Sequence, residues 1–230
     1  DGKWFAFTSR TRAKRYDAKD ESWQDPRKIE RFLSRLNGEN WVFDRPQHVY
    51  VVAADGTRKP RNLTPGEFQF GGVSWLPDSS AVVTTAAAHD TWDFDQAEDL
   101  FVVPLEGERR ALTSQTGRYT APAVSPDGTL VAFLGVDDAL TYPQNMRVGV
   151  VPVDGGEHRW VSTELDRTFF PTAGTSGPVW ESATTLLASA EDRGDTHLYR
   201  LTVDGAVPEP VTTGRLAVQA YDTAGGVLAT

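Results

Sequence analysis

The chain has 230 residues, 39% of them hydrophobic, and 32 acidic against 23 basic side chains give a formal charge of −9. That is enough apolar material for a core, while the lack of a basic patch excludes a nucleic-acid backbone as partner, because phosphate binding requires one. With no cysteine there is no disulfide framework, thiol nucleophile or thiolate metal site, which fits a cytoplasmic location, and no apolar run approaches the roughly 20 residues of a membrane helix.

In chain order, the first element is "DGKWFAFTS", a turn and an apolar strand that begins in mid-element without a start methionine or signal peptide. A chain excised from something longer is therefore expected. Residues 10–47 form an insertion. Within it Asp25 suits an N-cap and Pro26 the first helical position, and Ile29, Phe32, Leu33 and Leu36 fall at helical spacing before Asn37-Gly38. These features predict a short helix over about 25–37 whose apolar stripe covers the rim of its own fold or another domain.

Further along, "AVSPDGTLVAFLG" at 123–135 sets a turn between two apolar runs. Pro126 presets a turn angle and Gly128 permits positive φ, so Val124 and Leu130–Phe133 read as antiparallel neighbours. The turn recurs in "VSWLPDSSAVVTTA", "PVWESATTLLASA" and "QAYDTAGGVLAT", and in the N-terminal "DGKWFAFTS". Between these copies stand "HVYVVAADGTRKPRNLT", "DLFVVPLEGERRALT", "RVGVVPVDGGEHRWVS" and "HLYRLTVDGAVPEPVT", whose turn glycines Gly56, Gly107, Gly155 and Gly205 are 51, 48 and 50 residues apart. Each is a strand, a glycine turn and a shorter strand ending near Leu-Thr.

Four strands per repeat of about 50 residues predict an all-β fold, a β-propeller of four-stranded antiparallel blades. The blades fall at about 1–64, 65–113, 114–162 and 163–212, with part of a fifth at 213–230 and the first lacking its innermost strand. About four and a half blades of a larger ring are expected. Blades stacked face to face also explain why the strands are apolar at consecutive positions instead of alternating.

The turns at one end of the blades are short, and the long loops, including "AAHDTWDFDQAED", "VDDALTYPQNM" and "EDRGDTH", all lie at the other end with the insertion. Binding commonly resides on such loops. No catalytic constellation is present. "GTSGP" at 174–178 is one residue short of a nucleophile elbow, since Pro178 replaces the last glycine. His48, His89, His158 and His197 lack metal-like spacing, and structural roles are expected for His48 and His197 at the starts of third strands. The acidic loop Asp90, Asp93, Asp95, Glu98 and Asp99 lacks the glycine and closing glutamate of an EF-hand and reads as a solvated turn. No metal or cofactor is expected.

The pattern "SPDG", "LVAFLG", "DLFVVP" and "LT" resembles the propeller repeats of the prolyl oligopeptidase family of serine peptidases. "RLNGENWVFDRPQHVYVV" and "LTYPQNMRVGVV" resemble most the bacterial acylaminoacyl-peptidase branch. The resemblance covers nearly all of the chain, and Tol-Pal periplasmic propellers carry similar "SPDG" blades. In the peptidase family the propeller precedes an α/β-hydrolase domain with a Ser-Asp-His triad, shields it and restricts entry to short peptides.

No residue of this chain matches a triad motif, and no adjacent glutamate pair stands where dipeptide-trimming relatives hold the substrate amine. The resemblance thus implies a non-catalytic propeller, partnered by an α/β-hydrolase domain of the same parent chain and by short peptides, and compatible with a homo-oligomer. The alternative is a Tol-like propeller that binds another protein. On loop position alone, Asn40, Trp41, Asp90, Trp92, Asp93, Tyr142, Asp192 and Arg193 are the candidates for a substrate-facing rim.

Overall fold

The structure is a computed structural model that describes residues 2–11, 14–16, 18–114, 116–169 and 177–230. In chain order its strands are β1 (Trp4–Arg10), β2 (Arg35–Leu36), β3 (Asn40–Trp41), β4 (Gln47–Ala53), β5 (Arg61–Asn62), β6 (Phe70–Trp75), β7 (Ala81–Ala86), β8 (Asp99–Pro104), β9 (Arg110–Ala111) and β10 (Arg118–Val124). They continue as β11 (Leu130–Val136), β12 (Arg147–Pro152), β13 (Arg159–Trp160), β14 (Val179–Trp180), β15 (Thr185–Asp192), β16 (Asp195–Thr202), β17 (Glu209–Pro210), β18 (Asp222–Ala224) and β19 (Val227–Ala229). Three antiparallel sheets run in sequence order with four strands each, β6 to β9, β10 to β13 and β14 to β17. The first sheet is β1-β4-β5, the last is β18-β19, and β2-β3 is a separate hairpin. This is the β-propeller architecture expected from the repeat.

The "SPDG" turn shows why the sequence folds this way locally. Asp127 accepts the backbone N–H of Thr129 and the hydroxyls of Ser125 and Thr129, while Gly128 sits at φ +74°. A carboxylate that satisfies its own turn in this way is an Asx motif, and glycine takes the left-handed position without a Cβ penalty. Val124 and Val131 consequently pair across β10 and β11, as do Trp75 and Val82 across β6 and β7. In the next sheet the turn lacks a proline and is one residue tighter, so Val179 pairs with Leu187.

A second recurring bond explains the Leu-Thr endings. The hydroxyls of Thr64, Thr113, Ser162 and Thr212 accept the backbone N–H groups of Val49, Leu100, Val148 and Leu198 at 2.9, 3.0, 2.9 and 2.9 Å. The apolar residue just before each hydroxyl donates its own N–H to the carbonyl of the same third-strand residue. A two-residue fourth strand is therefore held by one backbone ladder and one side chain.

The core is a series of seams between sheets. Val82 and Ala86 pack with Val49 and Phe70, whereas Ala81 and Val83 pack with Tyr119, Val131 and Phe133. Ala132 and Leu134 join Leu186, Ala188 and Tyr199, and Leu187 turns to Val218 and Tyr221. Successive residues of a strand point to opposite faces, and here both faces are covered, so the consecutive apolar runs are accounted for.

The helix expected over 25–37 does not form. Residues 25–34 carry no regular structure, and Asn37-Gly38 is the turn of the β2-β3 hairpin, with Gly38 at φ +83°. The reason is tertiary. The backbone N–H groups of Phe32 and Leu33, which a helix would use internally, donate instead to the carboxylate of Asp93 at 2.7 and 3.0 Å. Arg27 is drawn between the rings of Tyr16 and Trp41. An isolated helix of about a dozen residues is marginal in water and yields to such contacts. The segment is a strap laid across the loop end of the first two sheets, preceded by two single 3-10 turns at Lys14–Tyr16 and Glu21–Trp23.

Candidate functional site

The strap and the 87–98 loop enclose a cleft of about 520 Å³ at the long-loop end. Arg10, the last residue of β1, fixes its back. Its guanidinium donates to Glu39 in the strap at 2.7 Å and to Gln69 at 2.6 Å, ahead of β6. Gln69 lines the cleft. Arg31 extends the tie, pairing with Glu67 at 2.7 Å and lying over the ring of Trp92 at 5.2 Å. Trp92 meets Phe68 edge-on.

Two charges at the cleft come from neighbouring sheets. The backbone of Glu98, just before β8, bridges the start of β10: its N–H donates to Gly117, and the Tyr119 N–H donates to its carbonyl. This places the Glu98 carboxylate 3.8 Å from the Arg118 guanidinium. Burial pushes the Glu98 carboxyl above the usual range, and Arg118 pulls it part of the way back. The apolar part of the wall comes from Phe32, Leu33, Ala87, Trp92 and Ala97. Phe32 continues it outward onto Phe94, the rings 5.3 Å apart and edge-to-face.

The acidic loop is largely spoken for by its own fold. Asp95 accepts from the Thr91 hydroxyl, the Ala97 N–H and the His89 ring, and Asp99 accepts from the Thr113 hydroxyl at 2.7 Å. With Asp93 bound to the strap, these carboxylates are internal fastenings rather than a solvated turn. Among the described residues no group of histidines and acids is arranged to hold a metal ion, and no helix is long and apolar enough to cross a membrane.

Of the eight rim candidates, the structure brings Trp92 and Asp93 together at the cleft. Trp41 faces Arg27, Arg35 and Phe43 within the strap, and Asn40 belongs to the hairpin through its backbone in β3. Asp90 and Tyr142 are exposed on their loops. Asp192 pairs with Arg167 at 2.6 Å, and Arg193 occupies the tight β15-β16 turn at φ +55°. The "GTSGP" segment lies mostly outside the described residues.

Sequence reasoning missed Glu98 and Arg118 as a pair, since nothing in either local segment signals an inter-sheet bridge. It found Phe32 and Leu33 but assigned them to a helix.

No family model matches the sequence. Among curated proteins, a probable dipeptidyl-peptidase 5 from Emericella nidulans is 28% identical over 131 residues, covering 55% of this chain and 17% of the relative. Tricorn protease homolog 1 from Streptomyces coelicolor is 33% identical over 131 residues, covering 57% of this chain and 10% of the relative. The chain thus spans a small part of either relative's length.

Among solved structures, the Pyrococcus horikoshii acylaminoacyl peptidase superposes with a TM-score of 0.70 at 13% identity, over 97% of this chain and 32% of its own. The β-propeller domain of the Trilobed protease from Pyrococcus furiosus gives 0.55 at 12% identity over 78% and 53%, and TolB from Acinetobacter baumannii gives 0.54 at 15% identity over 78% and 41%. The chain is a β-propeller, and the solved structures it superposes on include propellers of peptidases and of TolB.

Proposed function

We propose that this propeller is the non-catalytic part of an acylaminoacyl-peptidase-like serine peptidase, in which it shields the active site of an α/β-hydrolase domain and restricts entry to short peptides. The observation that carries the reading is the extent of one structural likeness, to the Pyrococcus horikoshii acylaminoacyl peptidase at a TM-score of 0.70. The likeness to the acylaminoacyl peptidase runs over 97% of the chain, against 78% for TolB. The long loops and the cleft share one end of the sheets, where a propeller serving a hydrolase would present them.

The test is to label the intact protein with a fluorophosphonate, which reacts with activated serines, and to follow turnover of N-acyl peptides. Labelling and turnover that favours short over long peptides are expected. Absence of both, with capture of a folded protein partner through the loop end, would replace this reading with a Tol-like binding module.

A further inference from the structure

The cleft contains more than a rim requires. Phe32 and Phe94 are 77% and 74% exposed although their rings touch, and Leu33 is 37% exposed beside them. Large apolar side chains left in water around a concavity mark a surface that is covered in use. The charged groups that line the cleft, beside the amides of Gln69 and Gln96, divide into two kinds. Asp93 and Asp95 are consumed by short bonds to the strap and to the loop itself. Glu98 and Arg118, at 3.8 Å, are beyond hydrogen-bond distance of one another. One can therefore still accept an N–H and the other can still donate to a carbonyl.

We propose that this cleft is a peptide-binding subsite that takes a large apolar side chain against Phe32, Leu33 and Trp92, with Glu98 accepting a backbone N–H of the peptide and Arg118 donating to a backbone carbonyl. This rests on the peptidase reading and names the part of the peptide that the propeller recognises. The acceptor and donor match the two polar groups of an amide, and the volume accommodates one or two residues. Partial burial of Glu98 makes an incoming donor worth more there than in open water.

The test uses two blocked probes, acetyl-Ala-Phe-Ala-amide and acetyl-Ala-Ser-Ala-amide, titrated calorimetrically into the protein. The phenylalanine peptide should bind about tenfold tighter. Trp92→Ala and Phe32→Ser should each abolish the preference. Arg118→Ala should weaken both probes alike, and Val207→Ala, at an exposed site on the short-turn end, should change nothing. Equal affinity for the two probes, or a preference that survives both aromatic substitutions, overturns the subsite. The two readings fail separately: a phenylalanine preference without acyl-peptide turnover removes the peptidase and leaves the cleft, and turnover without the preference does the reverse.

Discussion

The hydroxyl of Thr64 accepts the backbone N–H of Val49 at 2.9 Å, and both residues are wholly buried. Thr64→Val keeps the shape and removes the acceptor, leaving a buried donor unpaired at a cost of about 1–3 kcal/mol. Thr64→Ser, the residue that makes the equivalent bond at Ser162, should retain most of the stability. Denaturant unfolding of the two variants checks this; equal losses would assign the effect to the methyl group.

Asp93 holds the strap by two backbone donors at once. Asp93→Ala should release residues 25–46 without unfolding the sheets. Amide exchange at Phe32 and Leu33 should accelerate by at least about tenfold, and limited proteolysis should cut within the strap, while β7 and β11 keep their protection. Uniform loss of protection would mean that the strap and sheets form one cooperative unit.

Opposite pH slopes should appear at two equivalent positions, His48 before Val49 and Asp99 before Leu100. Burial raises the Asp99 carboxyl, opposed by the Thr113 hydroxyl. With the folded value above the unfolded one, stability is full below the ordinary carboxylate range and lost as pH rises through the folded value. Asp99→Asn should therefore gain over the parent as pH rises from about 4 to neutrality. Burial lowers the His48 imidazole. Its stability is full above the ordinary value of 6.5 and lost as pH falls through the folded value. His48→Gln should flatten the acid side of the melting-temperature profile. Parallel profiles in parent and variants would refute both assignments.

Gly72 and Ala121 occupy matching bulges in β6 and β10, at φ +64° and +52°. A Cβ on Gly72 would stand 3.0 Å from Pro122, so Gly72→Ala combines left-handed strain with a close approach and should cost about 1–3 kcal/mol. Ala121→Gly relieves the strain but frees the unfolded chain, and should lie within about 1 kcal/mol of the parent. Thermal melts of the pair decide it.

The propeller was legible because its determinants are local. Asp127 and Gly128 build their own turn, and the hydroxyl that pins each fourth strand lies 13 to 15 residues from its partner. The strap was not legible. Its apolar spacing is helical, yet its shape is imposed by Asp93, about 60 residues away, and by Arg10, which links Glu39 to Gln69. Loop position alone points to Trp92 and Asp93 as rim residues, and the structure sets both at the cleft because they stand on the loop that forms its wall. It could not place Arg118, whose role arises where one sheet's third strand meets the next sheet's first.

Val82 and Val83 are neighbours in sequence that serve different seams. Each interior sheet in this way packs on the sheet at either side, and the described sheets form a series of nearest-neighbour couplings. Damage at one seam stays confined to the two sheets that share it. A tether such as Arg10, reaching from the end of β1 to Gln69 ahead of β6, then matters beyond its own few bonds, because it acts in parallel with the seam between the first two sheets.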